Sequence, residues 1–306
     1  MNAAYKTALA HANVIGTASP VWHQINADAA VTNFPTAGSA AIIAGLRAKH
    51  VEIIPTVTTK ITPQELQEIA ASSARRAAHA AALAQIALSG DYDGLDLDYE
   101  TIARTKNINI ALKTRPAYTV LVQDVCAALH NIHKTCIITV MPRSSNVPTV
   151  LWWNRLAPAV YDYAAIGAAA DRVRLMAYDE HAPGTTAGPV APIGWVEQVV
   201  KYALSQIPAE KTELGIPLYG RDWGGKTVGT VTYPLKHFTS RKWDAATASP
   251  YFTYTSKGQK HIVWYSDAES IAARYQLARK YKLAGVALWA ASQEDPATWE
   301  RLLRCR

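Results

Sequence analysis

The ten residues Asp91–Glu100 read Asp-Tyr-Asp-Gly-Leu-Asp-Leu-Asp-Tyr-Glu. Side chains alternate across a β-strand. Asp96, Asp98 and Glu100 therefore share one face, and Leu95, Leu97 and Tyr99 share the other. In a barrel the apolar set packs against helices and the acids line the interior. Three carboxylates on one inward face resist ionising together. Shared protons relieve that repulsion, and a shared proton is what a general acid needs. Glu100 comes last, at the C-terminal end of the strand, where active sites of such barrels sit.

Working outward, short apolar or β-branched runs alternate with longer Ala-rich, helix-periodic stretches. The pattern predicts strands at Asn13–His23, Val51–Thr58, Gly94–Glu100, Cys136–Arg143, Arg172–Tyr178, Glu213–Tyr219 and Gly285–Trp289. Helices are expected at Ser39–Lys49, Pro63–Ser89, Pro116–His133, Trp195–Gln206, Asp267–Lys282 and Ala297–Arg304. The helix from Pro63 has the clearest ends: Thr62 and Glu65 form a capping box, and Gly90 is expected to supply a left-handed stop. This βαβα order predicts an α/β fold, a TIM (β/α)8-type barrel. Seven strands are visible where eight are needed. Ala3–Ala12 reads as the helix that should follow a first strand, so that strand is expected to be absent from this chain. Residues 1–306 read as a single catalytic barrel. Between Arg221 and Ser266 the sequence is rich in Thr, Tyr, Gly and Lys, and predicts a small α+β insertion of short antiparallel strands at 221–266.

Composition narrows the function classes. The net charge of +7 comes from scattered basic residues without a long Lys/Arg run, which argues against a nucleic-acid partner. No apolar run approaches the roughly 20 residues of a membrane span. The opening residues lack a charged segment followed by an apolar one, so no export leader is expected here. Of the three cysteines, Cys126 and Cys136 could pair across a helix–strand connection, with Cys305 left over. Buried free thiols are the simpler reading. No CxxC pair and no His-rich zinc spacing occurs, so no metal or cofactor is expected. A monomer is expected.

The stretch Asp93-Gly94-Leu95-Asp96-Leu97-Asp98-Tyr99-Glu100 resembles the DGxDxDxE signature of glycoside hydrolase family 18, the chitinase family. Further matches follow in order. Met176-Ala177-Tyr178-Asp179 is similar to the family's MxYD, and Gly215–Arg221 to its GxPxYGR. Trp289 matches the tryptophan at the floor of the sugar site. The resemblance implies retaining hydrolysis of β-1,4 bonds in polysaccharides containing N-acetylglucosamine, with the substrate's own acetamido oxygen as nucleophile. Glu100 would be the acid, and Asp98 would hold the acetamido N–H. Asp96 would share a proton with Asp98. Tyr178 would donate to the acetamido group, and Asp179 would support the bound sugar. Trp289, Met176, Tyr219, Arg221 and Trp22 are the expected substrate-binding residues. Trp223 and Trp264 are further candidate platforms, whereas Trp152 and Trp153 read as loop packing.

The phrasing around TASPVW, GIPLYGRDW and VWYSDAESIAARYQLARKYKLAGVALW is most similar to the bacterial cell-wall and cortex-lytic branch of the family. That branch often carries Phe where this chain has Tyr99. Tyr99 faces away from the acids, so the departure should matter little. The resemblance implies peptidoglycan fragments or chitin as substrate and an extracellular or wall-associated site of action. The rival reading is a silent, lectin-like relative or an inactive open barrel. Such relatives usually lose the acid at the position of Glu100, which is intact here.

Overall fold

The computed structural model describes residues 3–146, 157–225 and 227–305. Six parallel strands of the main sheet come first: β1 (Val21–Ile25), β2 (Thr56–Thr59), β3 (Gly94–Asp98), β4 (Thr135–Val140), β5 (Arg172–Leu175) and β6 (Thr212–Pro217). The chain then leaves for five antiparallel strands: β7 (Gly220–Gly224), β8 (Thr227–Val231), β9 (Lys242–Asp244), β10 (Ser249–Ser256) and β11 (Gln259–Trp264). It returns with β12 (Gly285–Trp289). The main sheet runs β12-β6-β5-β4-β3-β2-β1, every one of these pairs parallel, with Val31–Asn33 antiparallel against β1. That sequential order is the order of a (β/α) barrel. No ladder joins β12 to β1 among the described residues. The ladder of β1 on β2 extends back to Thr17–Ala18 beside Glu52–Ile53. Pro20 and Pro55, which have no N–H to donate, interrupt it.

Nine α-helices are described: α1 (Ala3–Ala10), α2 (Ala40–Arg47), α3 (Pro63–Ala71), α4 (Ser73–Ser89), α5 (Ile108–His130), α6 (Tyr163–Ala169), α7 (Ile193–Leu204), α8 (Ala268–Lys280) and α9 (Thr298–Arg304). The outward residues of the strands, such as Leu95, Leu97, Ile138, Leu175 and Ile216, join Leu121 and Val125 of α5 in one buried cluster. Each such side chain contributes about 1.5–3 kcal/mol when fully buried. None of these helices is long and apolar enough to cross a membrane.

Local chemistry corrects several expected boundaries. The helix expected over Pro63–Ser89 breaks at Ser72, whose backbone is extended and whose Oγ accepts from the Arg75 N–H at 3.3 Å to start α4. The Ala-rich period runs through this break and hides it. The capping box at Thr62 and Glu65 is present. Gly90 has φ −83° and is no left-handed stop; Asp91 takes that conformation at φ 51°. What requires glycine at position 90 is space, since a Cβ there would lie 2.2 Å from the Tyr92 ring. Helix α5 begins at Ile108, ahead of Pro116, because Asn107 Oδ1 caps the Asn109 N–H at 2.9 Å. Cys126 and Cys136 are joined in a disulfide rather than free, because α5 packs on β4 and brings their Cα atoms to 5.3 Å. Cys305 is a free thiol.

The described residues of 221–266 contain strands and no helix, in place of the α+β insertion expected. Their sheet, in the order β8-β7-β11-β10-β9, has its own small core of Phe252, Val263 and Tyr265. Arg274 of α8 ties this sheet to the barrel. Its guanidinium donates to the Ala191 and Ala248 carbonyls at 2.9 Å each and to Ser249 Oγ at 3.0 Å.

Candidate active site

Strand β3 ends beneath a cavity of about 320 Å³ at the C-terminal edge of the sheet. Eight of the residues singled out from sequence line it: Asp98, Glu100, Met176, Tyr178, Asp179, Tyr219, Arg221 and Trp289. Seven come from the ends of β3, β5, β6 and β12, which the parallel sheet brings together, and Arg221 comes from β7 of the antiparallel sheet. Trp289 remains 45 % exposed at the mouth, as a platform for a flat ligand requires. Arg221 links two walls: one nitrogen donates to Asp179 Oδ1 at 2.8 Å and another to Thr230 Oγ1 at 2.6 Å.

Sequence reading missed Met141, Pro142, Thr230 and Gln293, which complete the lining. Met141 and Pro142 follow β4 directly, so the rule that barrel sites form at strand ends could have found them. Thr230 reaches the cavity because it sits opposite Arg221 in the β7–β8 register. Gln293 carries no local signal.

Two expected site residues lie elsewhere. Trp22 is only 3 % exposed and packs in the core against Tyr92, with ring centroids 5.7 Å apart. A register shift in β1 between Val21 and His23 breaks the simple alternation there. Asp96 lies below the cavity. Its Oδ1 accepts from Thr139 Oγ1 at 2.7 Å, and its Oδ2 accepts from Thr56 Oγ1 and Arg174 Nη1, each at 2.8 Å. These three side chains come from neighbouring strands and fix the orientation of the Asp96 carboxyl below Asp98. Trp223 is buried, and Trp264 stacks on Tyr251 at 4.6 Å; neither lines the cavity. Trp152 and Trp153 lie outside the described residues.

Electrostatics separate the acids. Asp98 Oδ1 is buried and has no hydrogen-bond partner among the described residues. Burial, with Glu100 and Asp96 adding to it and Arg174 opposing, holds the Asp98 carboxyl well above the ordinary carboxylate range. Burial also raises Glu100, against the pull of Arg104 and with a push from Asp179. The pair therefore holds a proton more tightly than free carboxylates do. Burial and the nearby carboxylates likewise keep the Tyr178 hydroxyl protonated, so it stays a donor. The site can thus offer two coupled carboxyl groups of raised proton affinity and a phenolic donor within one cavity. Among the described residues no cluster of His, Cys, Asp and Glu is arranged to hold a metal ion.

Behind β3, the Tyr99 hydroxyl meets His79 Nε2 at 2.8 Å, and the Tyr161 hydroxyl donates to the Tyr99 carbonyl at 2.9 Å. The residue before Glu100 is therefore fixed at both its ring and its backbone.

The family model described as Glycosyl hydrolases family 18 matches residues 11–294. The Bacillus subtilis glycosylase YvbX is 30% identical over 231 residues, covering 72% of this chain and 63% of its own length. A cortical fragment-lytic enzyme of Bacillus subtilis is 29% identical over 198 residues, covering 60% of this chain and 45% of its own. The chain thus spans roughly half to two thirds of the length of these curated relatives. A chitinase structure from Chromobacterium violaceum superposes with a TM-score of 0.88 at 26% identity, covering 100% of this chain and 96% of that one. The Bacillus cereus spore cortex-lytic enzyme SleL shares the fold, with a TM-score of 0.85 at 21% identity over 100% of this chain and 71% of its own. With the family model spanning the acidic strand, the MAYD segment and Trp289, the chain belongs to glycosyl hydrolases family 18.

Proposed function

We propose that this protein is a glycoside hydrolase that cleaves β-1,4 bonds of polysaccharides containing N-acetylglucosamine, with retention of configuration. The observation that carries this is the placement of Asp98 and Glu100, both with proton affinities raised by burial, in one cavity with Tyr178. Glu100 delivers its proton to the glycosidic oxygen as the C1–O bond breaks. The substrate's acetamido oxygen attacks the anomeric carbon and forms an oxazolinium ion, so the enzyme needs no second carboxylate as nucleophile. Asp98 accepts the acetamido N–H and balances the positive charge, and Tyr178 donates to the acetamido oxygen. Glu100, now a carboxylate, takes a proton from water as that water opens the ring. Asp179, held by Arg221, supports the sugar, and Trp289 stacks beneath it.

Peptidoglycan fragments and chitin oligomers both supply the required group, and the relatives' names include a cortical fragment-lytic enzyme and a chitinase. Either substrate places the activity outside the cell membrane. The test is hydrolysis of a fluorogenic chitobioside beside the matching cellobioside, for wild type and Glu100→Gln. Wild type should cleave the chitobioside only, since the glucoside brings no nucleophile. Loss of general-acid catalysis costs about 10²–10⁴-fold, so E100Q should lose at least 100-fold in kcat while still binding the oligomer. Equal turnover of both substrates, or full activity in E100Q, would defeat the proposal.

A further inference from the structure

The charge of this chain is unevenly placed. Residues 221–266 hold seven Lys or Arg against two Asp, a net +5 of the chain's +7. No long basic run marks the segment, because the five-stranded sheet gathers residues that lie apart in sequence. Arg221 pairs with Asp179, and Arg241 with Asp267 and Glu269. Lys236, Lys242, Lys257 and Lys260 are exposed and form no ion pair among the described residues. Such lysines are commonly only a solvated face. Here strand register gives them a direction. Residues directly opposite each other on antiparallel strands share one side of the sheet. Thr230, Arg221, Trp264, Tyr251 and Lys242 are paired in turn from β8 through β7, β11 and β10 to β9, and so form one row across all five strands. The row starts in the cavity, which Thr230 and Arg221 line. It continues over the half-buried rings of Trp264 and Tyr251, stacked with centroids 4.6 Å apart. It ends at Lys242, whose Nζ lies 5.8 Å from the centre of the Tyr251 ring. At about 4.8 Å between strands, Lys242 stands about 14 Å beyond Arg221. Lys260 lies on the same side, since it opposes Thr255, which shares its face of β10 with Tyr251.

The geometry points to this row as a docking surface for a carboxylate-bearing glycan, the acidic continuation of the strand whose scissile bond lies in the cavity. The polarity of the row carries the argument. Asp98, Glu100 and Asp179 make the cavity end acidic, so a carboxylate of the ligand is disfavoured there and a neutral sugar is admitted. The two ring faces offer a sugar chain an apolar bed beyond Arg221. The far end offers the ammonium of Lys242, a compact charge with three donors and no acid partner of its own, and Lys260 adds to its field. Acidic groups spaced along a largely neutral chain match this layout. A nucleic acid matches it poorly, because a phosphate at every unit would bring charge against the acids of the cavity. The surface thus selects acidic glycan strands over neutral ones by how tightly they bind.

This inference rests on the hydrolase reading, so its test reads binding without turnover. The whole chain carrying Glu100→Gln would be titrated by calorimetry with soluble β-1,4 strands of alternating N-acetylglucosamine and N-acetylmuramic acid. The same strands with their lactyl carboxylates amidated would be titrated beside them. The acidic strands should bind about fivefold more tightly at low salt, and the preference should fade at high salt. Adding Lys242→Gln should weaken the acidic strands about two- to fivefold, the worth of one exposed charge contact, and leave the amidated strands unchanged. Lys242→Glu with Lys260→Glu should abolish the preference. Tyr251→Ser should weaken both kinds of strand alike. Lys113→Gln, at an exposed lysine of α5 outside this sheet, should keep the full preference. Equal affinity for acidic and amidated strands would overturn the inference. An equal loss in K113Q and K242Q would also overturn it, since net charge alone would then account for binding. So would a DNA oligonucleotide bound as tightly as the acidic strands, which would mark a surface for any polyanion. Binding as stated, from a wild type that cleaves no chitobioside, would defeat the hydrolase reading and leave this surface standing.

Discussion

Asp98 keeps one buried oxygen, Oδ1, that meets no donor among the described residues, a poor place for a carboxylate and a better one for a carboxylic acid. Its folded-state proton affinity is raised, so the native chain keeps a proton that the unfolded chain releases above about pH 4. Stability from the protonated form is present below that pH and is lost as pH rises through the raised folded value. Asn at this position cannot ionise. Asp98→Asn should therefore abolish turnover yet raise Tm at pH 7, with the gap closing toward pH 4. Relief of this kind is commonly worth about 0.5–2 kcal/mol, and thermal melts across pH would read it. A Tm below wild type at every pH would refute the assignment. The places of Glu100, Asp98 and Tyr178 at the cavity were legible as residue types at fixed spacing. The orientation of Asp96 was not, because its partners Thr56, Thr139 and Arg174 lie 40, 43 and 78 residues away.

At the scale of elements, β3 is held from behind by α4. His79 is 1 % exposed, and burial lowers its pKa to about 4. The neutral ring that meets Tyr99 is thus favoured in the fold, while the unfolded chain binds a proton below about pH 6.5. The resulting stability is complete above that value and is lost as pH falls toward 4, up to about 3 kcal/mol. His79→Gln should flatten the Tm profile between pH 4 and 6.5, and an unchanged acid slope would count against the contact. This pairing also explains how Tyr is accommodated at position 99: its hydroxyl has a buried partner. Periodicity located β3, α4 and α5. It missed the Ser72 break and the early start of α5, because side-chain caps at Ser72 and Asn107 act locally and leave the apolar period intact.

Across the whole molecule, the five-stranded sheet and the barrel meet at Arg274, which burial lowers to about 10. It donates to carbonyls of Ala191 and Ala248 that no other side chain reaches among the described residues. Arg274→Met should cost roughly 2–5 kcal/mol, since buried carbonyls left without donors each cost about 1–3 kcal/mol. Limited proteolysis should then cut first within residues 220–264. Cleavage spread evenly over the chain would show that this arginine does not anchor the sheet.

By itself the sequence determined the alternation of strand and helix, the parallel order and the strand that carries the acids. These follow from periodicity and from chemistry within a few residues. Only the tertiary structure decided that Trp22 is core, that Thr230 reaches the cavity, that Cys126 bonds Cys136, and that Arg174 helps to orient Asp96. Each of these depends on what a side chain meets across the sheet or from a distant loop. Spacing along one strand gives the direction in which a residue points, and only packing supplies its partner.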